Sequence, residues 1–113
     1  MESFNRGSDI AATFAFLDHE GNAVTPSSLE WVVTDKDSGT ELVRNTDTPT
    51  GSSHVVVLSG DSVDMVDETK NSETRLLNWF FQYTATINGQ SVTMQGSDEE
   101  CFKILNTTAE ATP

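Results

Sequence analysis

The sequence has little basic charge, a single cysteine and no long apolar run. Its 113 residues include six Lys and Arg against eighteen Asp and Glu, which gives a formal net charge of −12. A general nucleic-acid binder is excluded, because the chain has no basic stripe to neutralise phosphates. The only cysteine, Cys101, excludes an intramolecular disulfide. No apolar stretch approaches the ~20 residues that a membrane-spanning helix requires.

Length and composition predict one domain with polar ends. We expect a folded domain over residues 9–105, a flexible N-terminal arm over residues 1–8 and a flexible C-terminal tail over residues 106–113. The first residues lack a basic segment followed by an apolar one, so we expect no secretion signal and synthesis in a cytoplasm.

Apolar side chains recur at every second residue, which is the period of a strand and not of a helix. Turn-forming residues separate short strands predicted over residues 9–18, 28–35, 41–46, 54–58, 75–87, 91–95 and 101–105. Asn88-Gly89 predicts a type I′ hairpin turn. About seven short strands without a long helix predict an all-β fold, an antiparallel β-sandwich or a small barrel. The predicted core is aromatic and consists of Phe14, Phe16, Trp31, Trp79, Phe81, Tyr83 and Phe102.

No set of residues predicts catalysis. His54 stands near Ser52 and Ser53, but a catalytic triad also needs an orienting carboxylate and is assembled in space. Two acidic neighbours of Cys101 disfavour a nucleophilic thiolate there, so a packing role is expected. We therefore expect no enzyme, no catalytic residue and no bound cofactor.

Two acidic segments have oxygen ligands of the kind that calcium prefers. Residues 35–41 begin like a calcium loop, but Gly39 falls one position early and Thr46 stands where the closing Glu is needed. The second segment contains Asp61, Asp64 and Asp67, with Glu68. Solvated polar turns are the expected interpretation of both, and no metal site is predicted. Zinc is not expected with one cysteine and two separated histidines.

Four residues are candidates for contact with a partner. Leu76 and Phe80 interrupt the polar face of the longest predicted strand, whereas Trp31 and Trp79 fall on apolar faces and are expected in the core. Phe4 and Arg6 stand out in the polar N-terminal arm, which could order on a neighbouring subunit.

The stretch DHEGNAVTPSSLEWVVTD at residues 18–35, with Glu73-Thr74-Arg75 and Gly89, resembles small immunoglobulin-like proteins of tailed bacteriophages. In that pattern a strand ends in Asp, a Gly turn and a Pro loop follow, and a Trp-bearing strand ends in Asp; a later Arg leads into an aromatic strand. The likeness covers residues 9–105. It implies an immunoglobulin-like sandwich and a non-enzymatic component of the virion.

Two functions from different classes follow. The first is a structural protein of a phage particle, made in the host cytoplasm and attached to capsid, head–tail or tail proteins, with homo-oligomers possible on the particle. It binds neither nucleic acid nor membrane. The second is a stand-alone module that binds a glycan or a calcium-dependent surface through loops 19–27, 35–41, 47–53 and 88–90.

Overall fold

The computed structural model describes residues 2–106 as seven strands and one short 3₁₀ turn. The strands are β1 (Glu2–Asn5), β2 (Ile10–Ala15), β3 (Ser28–Asp35), β4 (Glu41–Asp47), β5 (Ser53–Leu58), β6 (Ser72–Ile87) and β7 (Gln90–Leu105), and the 3₁₀ turn is Gly60–Val63. Five strands form one sheet in the order β1-β7-β6-β3-β4, and β2 and β5 form a second sheet.

The fold is an all-β sandwich of seven strands, which confirms the predicted fold class. The order β7-β6-β3-β4 matches the GFCC′ sheet of immunoglobulin variable-type domains, and β2 and β5 hold the places of strands B and E. All pairs are antiparallel except β1–β7, which is parallel.

The core lies between the two sheets and contains all seven predicted aromatic residues. Phe14 of the small sheet stacks on Trp79 of the large one, with ring centroids 4.6 Å apart, and Phe16 meets Phe81 edge-on at 5.1 Å. Aromatic pairs in such geometries stabilise by about 0.5–1.5 kcal/mol beyond the area they bury.

The predicted arm over residues 1–8 is corrected by the structure. Residues Glu2–Asn5 form β1, which pairs in register with Phe102 to Leu105 of β7. Phe4 anchors this strand, because its ring packs against Phe102 with centroids 6.1 Å apart. A polar segment with one well-placed aromatic residue thus joins a sheet edge. The predicted tail lies outside the described residues, apart from Asn106.

The predicted break at residues 96–98 is also corrected. β7 continues through Gly96, Ser97 and Asp98, and all sixteen of its residues pair with β6. Gly96 is needed there because the ring of Phe81 lies over it, and a Cβ at this position would be 2.3 Å from Phe81 Cζ. The glycine therefore provides room within a strand and does not mark a turn.

Candidate functional site

Phe4 and Arg6, predicted to contact a partner, both make contacts within the molecule. Arg6 Nε donates to Asp64 Oδ1 at 2.9 Å, and its guanidinium also bonds to Glu68 and Asn106. The hydrogen bonds to Glu68 and Asp64 outweigh the effect of burial and raise the pKa of Arg6 above its ordinary value. These bonds fasten the chain after β1 to the segment that follows the 3₁₀ turn. A further contact of Phe4 or Arg6 with a partner stays a prediction.

Leu76 and Phe80 lie on the outer face of the five-stranded sheet, as their position in the alternation predicts. Leu76 stands between Thr34 and Cys101, and Phe80 stands between Glu30 and Ser97 on the neighbouring strands. Both side chains are half-buried by these neighbours. The small sheet covers only the opposite face, so Leu76 and Phe80 remain candidates for contact.

Phe80 borders a shallow hollow of about 580 Å³ on this face, here called the outer hollow. Its lining consists of Ser28, Leu29, Glu30, Thr46, Asp47, Thr48, Phe80, Phe81, Gln82 and Gln95. The Glu30 carboxylate accepts a hydrogen bond from Arg44 Nη1 at 2.7 Å, which fixes one wall. The hollow combines an aromatic side chain with hydroxyl, amide and carboxylate groups, so it suits a polar ligand that has one apolar face.

A second candidate surface is the end of the β6–β7 hairpin. β3 pairs with β6 only as far as Gln82, and from Tyr83↔Met94 to Ile87↔Gln90 the strands β6 and β7 pair with each other alone in the described chain. We call residues 83–94 the hairpin tip. At ~3.4 Å per residue, its paired part extends about 17 Å past β3. The molecule measures 66 × 23 × 21 Å, so its long axis far exceeds the other two.

The two faces of the hairpin tip differ in chemistry. One face continues the core side of the sheet with Tyr83, Ala85, Ile87, Val92 and Met94 and ends at the polar Gln90 opposite Ile87, and the other face has Thr84, Thr86, Ser91 and Thr93. Tyr83, Ala85 and Met94 pack against the core, whereas Val92 is 37% exposed. Ile87 and Val92 thus extend the apolar face beyond the sandwich.

The turn at the end of the hairpin tip has the predicted geometry. Asn88 has φ 52° and Gly89 has φ 79°, so both residues are in the left-handed region that a type I′ turn requires. This turn matches the right-handed twist of the strands, so it sets the pairing register up to Ile87↔Gln90.

A buried ionic cluster lies at the other end of β6. Arg75 is fully buried, and it donates to Asp35 Oδ1 at 2.9 Å and to Glu73 Oε1 at 2.8 Å. Burial opposes ionisation of Glu73, but the N–H groups of Val66 and Asp67 and the Arg75 guanidinium outweigh it and hold the pKa of Glu73 below its ordinary value. Because the cluster is closed to solvent, it serves the fold and does not bind a substrate.

The histidines do not form a triad with the neighbouring serines. His54 Nε2 lies 3.2 Å from Asp47 Oδ2, an oxygen that also accepts from Trp31 Nε1 at 3.1 Å. The backbone N–H of His19 donates to Tyr83 Oη at 2.8 Å. Both histidines therefore help to position loops against aromatic residues of the core.

The acidic segments are engaged in bonds within the protein. Asp35 pairs with Arg75 and accepts from Ser38 Oγ at 2.7 Å, so its carboxylate faces inward. Asp64 is paired with Arg6, and Asp67 accepts from Thr69 Oγ1 at 2.6 Å. Within residues 2–106, no group of three or more acidic, His or Cys side chains is placed to hold a metal ion.

The sequence did not predict that Ile87 and Val92 form an apolar surface beyond the sandwich. The sequence does contain the pattern, because apolar residues continue on one face of β6 and β7 for two pairs beyond the last residue of β6 that pairs with β3. What the sequence lacks is the endpoint of β3 pairing at Gln82, which only the assembled sheet defines.

Comparisons of the chain with known protein families, with curated proteins and with solved structures find no match. In the described residues the 3₁₀ turn Gly60–Val63 is the only helical element, and no helix there is long and apolar enough to span a bilayer.

Proposed function

We propose that this protein is a non-enzymatic structural protein that attaches to a larger assembly through its hairpin tip, and that the assembly is the particle of a tailed bacteriophage. The observation that carries the proposal is the continuation of the apolar core face along the hairpin tip, past the last strand that supports it. The capsid, the head–tail region and the tail are the candidate places of attachment.

A projecting two-stranded ribbon gains stability from a partner. An isolated two-stranded hairpin is marginal in water, and a third element packed on its apolar face supplies the missing burial. Val92 and Ile87 offer that face, while the threonines and Ser91 on the other face suit water. Because Val92 is 37% exposed and Ile87 is half-buried, covering the rest of each side chain contributes about 1 kcal/mol or less, a fraction of the value for full burial.

The charge of the protein supports attachment to a basic or neutral surface. Four of the six basic residues already pair with carboxylates of the same chain: Arg6, Arg44, Lys70 and Arg75. The formal charge of −12 therefore resides mostly on exposed carboxylates. The negative electrostatic field of these carboxylates keeps free copies of the protein apart and steers them toward a positively charged surface. Contacts between copies are then expected only on the particle.

The proposal that the assembly is a phage particle rests on the resemblance of residues 18–35, 73–75 and 89 to small immunoglobulin-like phage proteins. Genes for capsid, portal or tail proteins beside the gene for this chain would support this setting. A neighbourhood of metabolic or host-surface genes would contradict it.

Attachment can be tested by co-sedimentation of purified protein with particles that lack it. The wild-type protein should bind in fixed stoichiometry, and the Ile87→Ser/Val92→Ser double variant should lose most of this binding. The double variant Thr86→Ser/Thr93→Ser is the matched control, because it changes two residues of the polar face of the same ribbon. Equal binding by both variants would contradict attachment through the apolar face.

The outer hollow supports a second candidate function, binding of a glycan. Phe80 offers an aromatic surface, and Glu30, Gln82 and Gln95 offer hydrogen-bonding groups around it. Calorimetry against a panel of oligosaccharides tests this function. Phe80→Ala should abolish a binding heat that Leu76→Ala, on the same face but outside the hollow, retains. A panel without any heat would remove this candidate.

A further inference from the structure

The small sheet has an open edge along β2. In residues 2–106, β2 pairs only with β5. Phe16 N–H donates to the Ser52 carbonyl at 3.0 Å, and the same register continues to Ile10↔Leu58. Because hydrogen-bonded pairs alternate in an antiparallel ladder, the N–H and C=O groups of Ala11, Thr13 and Ala15 point away from β5. Three residues thus present backbone donors and acceptors along the open edge.

A cleft of about 260 Å³ lies beside this edge, here called the β2 cleft. Its lining consists of Glu2, Phe4, Ile10, Ala11, Ala12, Thr13, Leu58, Leu77, Glu100 and Phe102. Four consecutive residues of β2 line the cleft. Side chains of a strand point alternately to its two faces, so side chains alone would contribute only every second residue. The backbone edge of β2 therefore forms one wall of the cleft. β1 and β7 form the other wall, and apolar residues from both sheets form the floor.

The open edge has none of the features that usually protect a free strand. β2 has the sequence IAATFA, without proline, charge or bulge. In the immunoglobulin sheet order ABED, a strand A occupies this side of strand B. Residues 2–106 leave that place open, since β1 pairs with β7 instead.

The charge around the β2 cleft selects the kind of segment that fits. Glu2 and Glu100 line the cleft, and Asp98 lies on the same face of β7, two residues before Glu100. All three residues are exposed. These carboxylates lie on the same inward face of the large sheet as Phe4 and Leu77. Since side chains of a strand alternate between its two faces, a segment complements both the rim and the floor when its inward-pointing residues, every second one, include both basic and apolar side chains. A second copy of this acidic chain would not.

We propose that the β2 cleft binds an extended segment of a partner protein whose inward-pointing residues, every second one along the segment, are both apolar and basic, and that the segment adds to β2 as a third strand. Main-chain hydrogen bonds to Ala11, Thr13 and Ala15 supply the pairing, and the acidic rim supplies the specificity. The site uses no residue of the hairpin tip, so it is independent of the attachment described above.

The test uses a synthetic peptide of about seven residues in which valine and lysine take turns at every second position, so that both lie on one face, and threonine occupies the positions between them. This length spans the six residues of β2. Titration into ¹⁵N-labelled protein, followed by amide NMR, should shift the signals of Ala11, Thr13 and Ala15. The same peptide N-methylated at alternate backbone nitrogens should cause no shift, because it cannot pair with a strand. A peptide with glutamate in place of lysine should also fail to bind.

A matched pair of variants tests the rim. Glu100→Lys should weaken the lysine–valine peptide about tenfold or more, because it replaces an attractive charge with a repulsive one at the cleft. Glu99→Lys changes the net charge equally on the opposite face of β7, beside Asn78, and should alter affinity less than about twofold. Equal weakening by both variants, shifts confined to residues outside the β2 cleft, or undiminished binding of the N-methylated peptide would overturn the proposal. So would dimerisation of the free protein through this edge.

Discussion

At the scale of single residues, a few side chains determine how the two sheets fit together. Trp79 and Phe81 both lie on the inner face of β6; Trp79 meets Phe14 of β2, and Phe81 meets Phe16, the residue that follows β2. Gly96 of β7 makes room for the Phe81 ring. Arg75 continues the same face as a charge, compensated by Asp35 and Glu73. One strand face thus holds both the apolar and the ionic parts of the interior.

Gly96→Ala should destabilise the protein by about 1–3 kcal/mol, because the added Cβ overlaps a packed ring and forces repacking. The control is Gly51→Ala: Gly51 has no neighbour within 4 Å of an added Cβ and lacks a positive φ. That change should be neutral or slightly stabilising. Urea denaturation of both variants measures the difference, and an unaffected Gly96→Ala variant would mean that Phe81 does not lie over β7.

Trp79→Ala should cost about 3–5 kcal/mol, since it removes a large buried ring stacked on Phe14. Phe80→Ala, the next residue but on the outer face, should cost less than about 1 kcal/mol. Circular dichroism during thermal unfolding separates the two variants. The opposite order of damage would mean that the strand faces the other way.

At the scale of elements, the alternation of apolar and polar residues predicted which face of each strand points inward, but it predicted poorly where the strands begin and end. The inward residues of β2, β3 and β6 follow directly from period-two spacing, and the predicted cluster of seven aromatic residues is the core. The number of strands agrees only because two errors compensate: β1 was not predicted, and two predicted strands are one continuous β7. Neither fact is local, because β1 forms by pairing with the edge of β7, and β7 continues through residues 96–98 by pairing with β6.

In the candidate site, too, the faces of the strands could be predicted from the sequence and their ends could not. Leu76 and Phe80 were assigned to the outer face from local alternation, and the structure places them there. The outer hollow, the hairpin tip and the β2 cleft depend on where neighbouring strands end. Those endpoints arise from packing between segments far apart in sequence, so the pattern within each strand does not contain them.

At the scale of the whole molecule, excess negative charge and a buried ionic cluster make stability depend on pH. The folded state holds the pKa of Glu73 below its ordinary value of 4.5, so the unfolded chain binds more protons just below that pH. Stability from this group is therefore complete above about pH 5 and declines as the pH falls through the folded pKa. The pKa of Asp64 and of Glu68 is lowered as well, so both add to the same slope.

Glu73→Gln should cost about 2–4 kcal/mol at neutral pH, because it removes the charge that balances Arg75 and replaces one of the two oxygens that accept backbone N–H groups with an NH₂ donor. The variant should also lose stability less steeply between pH 5 and pH 3 than the wild type does. Denaturant midpoints across this range measure both effects. Glu99→Gln, exposed on the outer face of β7, is the control, and a wild-type-like slope in Glu73→Gln would refute the role given to Glu73.

The account depends most on the claim that the hairpin tip is the part of the molecule that a larger assembly covers. Amide hydrogen exchange, measured on the free protein and on the protein bound to phage particles, tests this most directly. Residues 83–94 should exchange readily in the free protein and become strongly protected on the particle, while the core of β3 changes little. Unchanged exchange at residues 83–94 in bound protein, or new protection only around Phe80, would contradict the account.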